Sequence, residues 1–337
     1  LDSSGLRQLT GDGRDPMLGR LGRKTQIIED FDPCYLPDGG LAFTSTRTMA
    51  SVRCANYTRY NPAFVLHRCE GDGSNIRALS FGELNEYEPA LRADGRLVYT
   101  RWEYINRNIT TVHGLWTTSP DGTGVEHFYG NNTIDPNVIV EARAIPGSRK
   151  VVASAVAHHR YFSGTVIVID PEKGADGLKP LTRVTPELPF PEQYARRYMG
   201  KPLKPDENGI YPYGLPYSLN DKALTAAPPH EPKKAPGPYA MPFPLTEDLF
   251  LVAAMDKKTR KFAIYLIDTL GGRELIFSDS KNSCWAPIPI RPRKKPPVRA
   301  SLVSPDPGVT TGTFFIQDVY QNRFDSRGVI KRGSVKA

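Results

Sequence analysis

A hairpin-forming unit that recurs along the chain constrains this fold more than any other feature of the sequence. In its clearest copy, residues 85–104, two stretches with alternating apolar residues flank the dipeptide Asp94-Gly95. Both turn residues tolerate the positive φ of a tight hairpin, so the pattern predicts two antiparallel strands joined there. Residues 32–45 repeat the same order of an acid-proline dipeptide, an Asp-Gly turn and a strand.

Two weaker copies extend the repeat along the chain. Residues 141–154 turn on Pro146-Gly147, and residues 244–253 turn on Glu247-Asp248. A second hairpin pattern, an apolar strand followed by a turn and a short strand, comes after the inner hairpin in these units. A β-type unit that returns about every 40–50 residues is typical of a propeller. We therefore predict an all-β propeller built from four-stranded antiparallel blades.

The repeat also predicts how the chain is divided. The predicted blade units cover residues 27–81, 84–130, 137–184, 186–280 and 283–320, and residues 1–10 form an outer strand. The fourth unit includes a long insertion, because 14 of the 31 prolines lie from Pro186 to Pro244 and proline is excluded from most central strand positions. We expect a single domain to residue 325, a truncated following segment at 326–337, and a chain that is a piece of a longer protein.

The distribution of charged and apolar residues indicates whether the chain binds nucleic acid or crosses a membrane. The chain has 44 basic and 36 acidic residues, but its only dense basic cluster is residues 291–299. This cluster lacks the aromatic residues that stack on bases, so we interpret it as a proline-stiffened connector and predict no nucleic-acid partner. No apolar run approaches the length of a bilayer-crossing helix, which predicts no membrane span.

Five residues are candidate metal ligands at the mouth of the predicted propeller. They are Cys34, His158, His159, Asp32 and Glu88. A thiolate and imidazoles would suit zinc, whereas carboxylates at the starts of inner strands would suit calcium. Each group also has a structural interpretation: a small buried thiol, histidines that order a loop, and carboxylates that cap loop N–H groups.

The remaining motifs predict no catalytic residue in this chain. The sequence contains no G-x-S-x-G nucleophile elbow, no P-loop and no dinucleotide-binding glycine motif. Cys54 and Cys69 are 15 residues apart and could form a disulfide in an oxidising compartment, or could remain separate buried thiols.

Several segments show a resemblance to a known family. In order, they are DFDPCYLPDGGLAFTSTR, DGSNIRALSF, DGRLVYTRWEY, SPDGTG, ARAIPGSRKVVA, AHH, PFPLTEDLFLVA, APIPIRPRKKPPV and DVY with GVIKRGSVKA. The ordered set resembles the middle propeller domain of the hydrazine synthase alpha subunit family. The single PDG motifs resemble the more general Tol-system propeller repeat.

This resemblance implies a six-bladed propeller within a larger extracytoplasmic protein, either periplasmic or secreted. The function it favours is a binding or scaffold module, whose partner is another protein, a flanking domain or a small ligand. The alternative is the propeller domain of a multihaem redox enzyme. Because the chain has no CxxCH motif, any haem c would be held by segments outside it. Where the family often has a His-Asn-Trp-Cys-Pro segment, this chain has Asn-Glu-Tyr-Glu-Pro at residues 85–89, so no haem ligand is carried over there.

Overall fold

The computed structural model describes twelve stretches of the chain. They are residues 5–11, 28–48, 50–52, 62–82, 84–103, 112–133, 136–158, 163–188, 190–191, 237–303, 308 and 311. The chain divides into two compact units, Leu1–Ala300 and Ser301–Ala337, and the strands lie in the first unit. The described residues form sixteen β-strands and one short 3₁₀ turn, Pro171–Lys173. Within the same residues, no helix has the length and apolar character needed to span a bilayer.

The strands form four antiparallel meanders of four strands each, called sheets below; the second and third are joined into one eight-stranded sheet by a parallel bridge between β7 and β9. The first sheet contains β1 (Asp30–Tyr35), β2 (Leu41–Ser45), β3 (Val65–Cys69) and β4 (Arg77–Ala78). The second contains β5 (Glu86–Leu91), β6 (Leu97–Trp102), β7 (His113–Thr118) and β8 (Glu126–Tyr129). The third contains β9 (Val138–Ala144), β10 (Val151–Val156), β11 (Thr165–Ile169) and β12 (Leu181–Arg183). The fourth contains β13 (Tyr239–Pro244), β14 (Leu249–Met255), β15 (Phe262–Asp268) and β16 (Arg273–Phe277).

The sheets stack face to face in chain order. Strand β5 packs on β1, β2 and β3, β9 packs on β5, β6 and β7, and β13 packs on β9, β10 and β11. A single parallel bridge between His113 and Val138 also joins the second and third sheets. The first strand of each sheet is therefore its inner strand, next to the inner strand of the neighbouring sheet. This arrangement confirms the predicted all-β propeller, and the number of six blades stays a prediction.

The apolar core lies between neighbouring sheets. Leu66 of the first sheet packs with Leu97 and Tyr99 of the second, in one buried cluster. A larger cluster joins the second and third sheets, and another places Val152 of the third against Phe250 of the fourth. A four-stranded sheet has two apolar faces and cannot bury both alone, so burial between blades drives the stacking.

A buried ion pair closes the base of the proline-rich insertion. The side chains of Glu187 and Arg273 are 6% and 7% exposed, with 3.2 Å between Oε1 and Nε. The Tyr239 hydroxyl also donates to Oε1 of Glu187 at 2.6 Å. A Cβ added to Gly237 would lie 3.0 Å from Cδ1 of Leu188, so the two ends of the insertion are adjacent. Residues 192–236 of the insertion lie outside the described part of the chain.

The predicted terminal units differ from the four sheets. Residues 5–10, within the predicted outer strand at residues 1–10, form no strand in the structure. Residues 283–303 of the predicted last unit also form no strand. Prolines interrupt that segment and remove the backbone donors that a sheet ladder needs. The remainder of that unit and the boundary at residue 325 fall outside the described residues.

Candidate functional site: an axial row of linked carboxyl groups

All four inner strands share one local distortion. Each contains a β-bulge at which two residues face one residue of the adjacent strand. The first bulge residue of each strand has a left-handed backbone, with φ of 55° at Asp32, 51° at Glu88, 60° at Glu141 and 52° at Met241. We call these four residues the axial row. A left-handed backbone costs a residue with a side chain about 1–2 kcal/mol, so the row concentrates strain at one repeated position.

Hydrogen bonds link the axial row from one sheet to the next. The Glu88 N–H donates to Oδ2 of Asp32 at 3.2 Å, across the first and second sheets. The Glu141 N–H donates to Oε2 of Glu88 at 2.5 Å, across the second and third. The Met241 N–H donates to Oε2 of Glu141 at 2.5 Å, across the third and fourth. In the second, third and fourth sheets, the bulge therefore turns an N–H group towards the preceding sheet, where a carboxyl group accepts it.

The carboxyl groups of the axial row hold protons more tightly than free side chains do. Burial, together with the nearby carboxyl groups of Glu141 and Asp32, raises the pKa of Glu88 to about 8. Burial also raises the pKa of Glu141 to about 7, although its Oε2 accepts a hydrogen bond from the Ser154 hydroxyl at 2.5 Å. The pKa of Asp32 is raised as well, chiefly by burial. Near neutral pH the row is thus only partly ionised.

An arginine and an aromatic ring lie beside the carboxyl groups. The positive charge of Arg143, on β9, lowers the pKa of Asp32, Glu88 and Glu141 and partly offsets the effect of burial. The guanidinium carbon of Arg143 lies 5.9 Å from the ring centroid of Phe243, on β13. We call the carboxyl groups of Asp32, Glu88 and Glu141, together with Arg143 and Phe243, the axial wall. It combines carboxyl groups, a guanidinium group and an aromatic ring.

A histidine pair lies where the second and third sheets meet. His113 Nε2 and His158 Nδ1 are 2.8 Å apart, which is a hydrogen-bond distance. The ring of Trp102 stacks on His113 with 5.1 Å between centroids and 12° between planes. Burial, reinforced by the proximity of His158, holds the pKa of His113 well below its ordinary value. His113 is therefore neutral at physiological pH, and one ring donates to the other.

The structure brings together only part of the predicted metal set. Asp32 and Glu88 belong to the axial row, whereas His158 pairs with His113. His159 lies outside the described residues. Within the part of the chain that the structure describes, no group of three or more His, Cys, Asp or Glu residues could hold a metal ion. The calcium and zinc assignments stay predictions.

Two of the cysteines lie at or beside the apolar core of the first two sheets. Cys34 packs against the apolar cluster between the first two sheets, and burial raises the pKa of its thiol. Cys69 is a buried free thiol at the end of β3. Its possible disulfide partner, Cys54, falls outside the described residues.

Sequence reasoning missed three residues of these clusters: Glu141, Arg143 and His113. A signal existed for Glu141, which stands in the third hairpin copy at the place of Glu88 in the second. It was obscured because Glu88 precedes a proline, as Asp32 does, whereas Glu141 precedes Ala142. For Arg143 and His113, no local pattern separates them from other polar strand residues.

Comparisons with known proteins give only loose structural similarity. No family model and no curated protein matches the sequence. Hydrazine synthase of Kuenenia stuttgartiensis is 13% identical with a TM-score of 0.46, over 73% of this chain and 30% of that chain. TolB from Acinetobacter baumannii is 12% identical with a TM-score of 0.33, over 72% of this chain and 44% of that chain. A puromycin-hydrolyzing peptidase of Mycobacterium tuberculosis is 10% identical with a TM-score of 0.38, over 76% of this chain and 38% of that chain.

This chain spans less than half the length of each of these proteins. Similarity at this level assigns neither a family nor an activity. The propeller assignment therefore depends on the stacked four-stranded sheets themselves.

Proposed function

We propose that this chain is a propeller-type binding module of a larger protein, and that its ligand site is the axial wall. The observation that supports this function is the placement of Asp32, Glu88 and Glu141 at one strained position of three successive blades. Glycine would form the same bulge without the left-handed penalty. Retained strain at side chains that bear chemistry is typical of functional sites.

The chemistry of the wall favours a small polar ligand that carries an ammonium or guanidinium group. Neighbouring carboxyl groups raise the pKa of Glu88, which means that their ionised forms repel each other. A bound cation would relieve this repulsion. Because the row is partly protonated, binding of a cation near pH 7.5 should release protons into the buffer.

Titration calorimetry with putrescine and arginine as probes tests this function. Binding should release protons, detected as a difference in apparent enthalpy between phosphate and Tris buffers at the same pH. Glu88→Gln and Glu141→Gln should weaken binding and reduce the proton release. Glu274→Gln changes the same functional group on the exposed edge strand β16 and should behave like the wild type. The proposal fails if neither probe binds, or if both axial variants bind them as the wild type does.

We propose in addition that the module works outside the cytoplasm, as the sequence resemblance implies. Cell fractionation of the full-length protein, with a cytoplasmic enzyme as the marker, tests this location. Recovery of the protein together with the cytoplasmic marker would contradict it.

A further inference from the structure

A basic, proline-rich segment follows the fourth sheet and touches the axial wall through Arg293, which lies over the ring of Phe243. We call residues 287–299 the basic strap. It contains five prolines, five basic residues and no acidic residue. It forms no strand or helix, and its basic side chains are exposed. Because proline fixes φ near one value, the strap is an extended segment with little backbone freedom to lose on binding.

The strap is fixed to the hairpin turns of two sheets. Arg291 Nη2 donates to the Leu245 carbonyl at 3.1 Å, at the turn between β13 and β14. Arg299 Nη1 donates to the Asp94 carbonyl at 3.4 Å, at the turn between β5 and β6. The third sheet lies between these two sheets in the stacking order. The strap therefore crosses the end of the propeller at which the inner hairpins turn.

The backbone of the strap also approaches the second of these turns closely. A Cβ added to Gly95 would lie 2.3 Å from the Pro297 carbonyl oxygen. Between the two attachment points, the guanidinium carbon of Arg293 lies 5.4 Å from the ring centroid of Phe243. Three of the five basic side chains thus hold the strap in place.

The other two basic side chains are available to a partner. Lys294 and Lys295 are exposed and form no ion pair within the described residues. Apolar side chains are exposed on either side of them, with Ile290 at 102% and Val298 at 60% of full exposure. A segment that is held extended and shows cationic side chains flanked by apolar ones is pre-organised for another extended chain.

We propose that the basic strap is a docking surface for an acidic polypeptide segment of another protein. Five positive charges within thirteen residues, with no acidic residue among them, favour a partner of negative charge. The exposed isoleucine and valine favour a polypeptide, because they can pack against its apolar side chains. Single-stranded nucleic acid is bound largely by stacking on aromatic residues, and the strap has none. This surface does not depend on what the axial wall binds.

Fluorescence anisotropy with the whole 337-residue chain tests the proposal. The probe is a labelled peptide of alternating glutamate and leucine, and a labelled DNA duplex of equal charge is the comparison. We expect the peptide to bind more tightly than the duplex and to dissociate as NaCl rises from about 50 to about 300 mM. Lys294→Glu with Lys295→Glu should weaken peptide binding about tenfold or more.

A matched variant separates the strap from net charge alone. Lys257→Glu with Lys258→Glu makes the same change in net charge at the exposed turn between β14 and β15, away from the strap. It should alter peptide affinity by less than about twofold, and unchanged melting temperatures would show that both variants are folded. Equal losses in the two double variants, tighter binding of the duplex, or no binding of the peptide would each overturn the proposal.

Discussion

Replacing Glu141 with glutamine should change how the stability of this protein depends on pH. Glu141 is 4% exposed, and burial raises its pKa from 4.5 to about 7. A carboxyl group with a raised pKa binds its proton more tightly in the folded state than in the unfolded state. The free energy of unfolding therefore falls as pH rises from the pKa of Glu141 in the unfolded state to its pKa in the folded state. The difference between 4.5 and about 7 is equivalent to about 3 kcal/mol.

Glutamine removes the titration and keeps the geometry. Its side-chain oxygen can accept the hydrogen bonds that Met241 N–H and the Ser154 hydroxyl donate to the glutamate. The variant should therefore resemble the wild type near pH 4.5, where the folded wild type is protonated. Between pH 4.5 and pH 8, the free energy of unfolding of the variant should rise relative to that of the wild type by about 3 kcal/mol.

Urea unfolding at pH 5, 6, 7 and 8 measures this difference, with the free energy of unfolding taken by linear extrapolation. The control is Glu274→Gln, which removes an exposed carboxyl group from β16. Its free energy of unfolding should follow that of the wild type at each pH. If the curves of Glu141→Gln and the wild type are parallel, Glu141 is ionised in the folded protein and the reasoning is refuted.

Three further experiments test other parts of the structure. Burial lowers the pKa of His113 well below 6.5. The free energy of unfolding of the wild type should therefore fall as pH falls below about 6.5. Urea unfolding should show no such fall for His113→Phe. Arg273→Met leaves Glu187 buried without its ion-pair partner and should cost about 3–5 kcal/mol by the same assay, with a smaller cost when Glu187→Gln is added. Gly39→Ala and Gly95→Ala both strain a turn glycine with positive φ, but only the second meets the strap carbonyl. Gly95→Ala should therefore lower the melting temperature more, and equal effects would show that the strap does not rest on that turn.

The fold could be predicted because its strongest signals are local. The Asp94-Gly95 dipeptide defines a turn by its own backbone preferences, and the structure places it between β5 and β6. Alternating apolar residues on both sides then indicate which residues face a neighbouring sheet. Residues 283–303 of the predicted last unit form no strand, because their apolar residues do not restore the N–H groups that Pro287 and Pro289 lack.

The candidate site could be predicted only in part, because its contacts join residues far apart in sequence. Glu88 and Glu141 are 53 residues apart and meet only because the second and third sheets stack. Their side-chain directions also depend on a β-bulge that no turn signal marks. The pairing of His113 with His158 spans 45 residues and has the same origin. The acid-proline dipeptides at Asp32 and Glu88 marked two positions of the row, but the sequence did not show that carboxyl groups accept N–H groups from the next blade.

Backbone amide NMR shifts followed from pH 5 to 9 test the linked axial row most directly. The N–H of Met241 is bonded to the carboxyl group of Glu141, so its shift should follow that group with a midpoint at about 7. The N–H of Glu141 should follow Glu88 with a midpoint at about 8. Shifts of both amides that do not change over this range would contradict the stacking of carboxyl and amide groups from blade to blade.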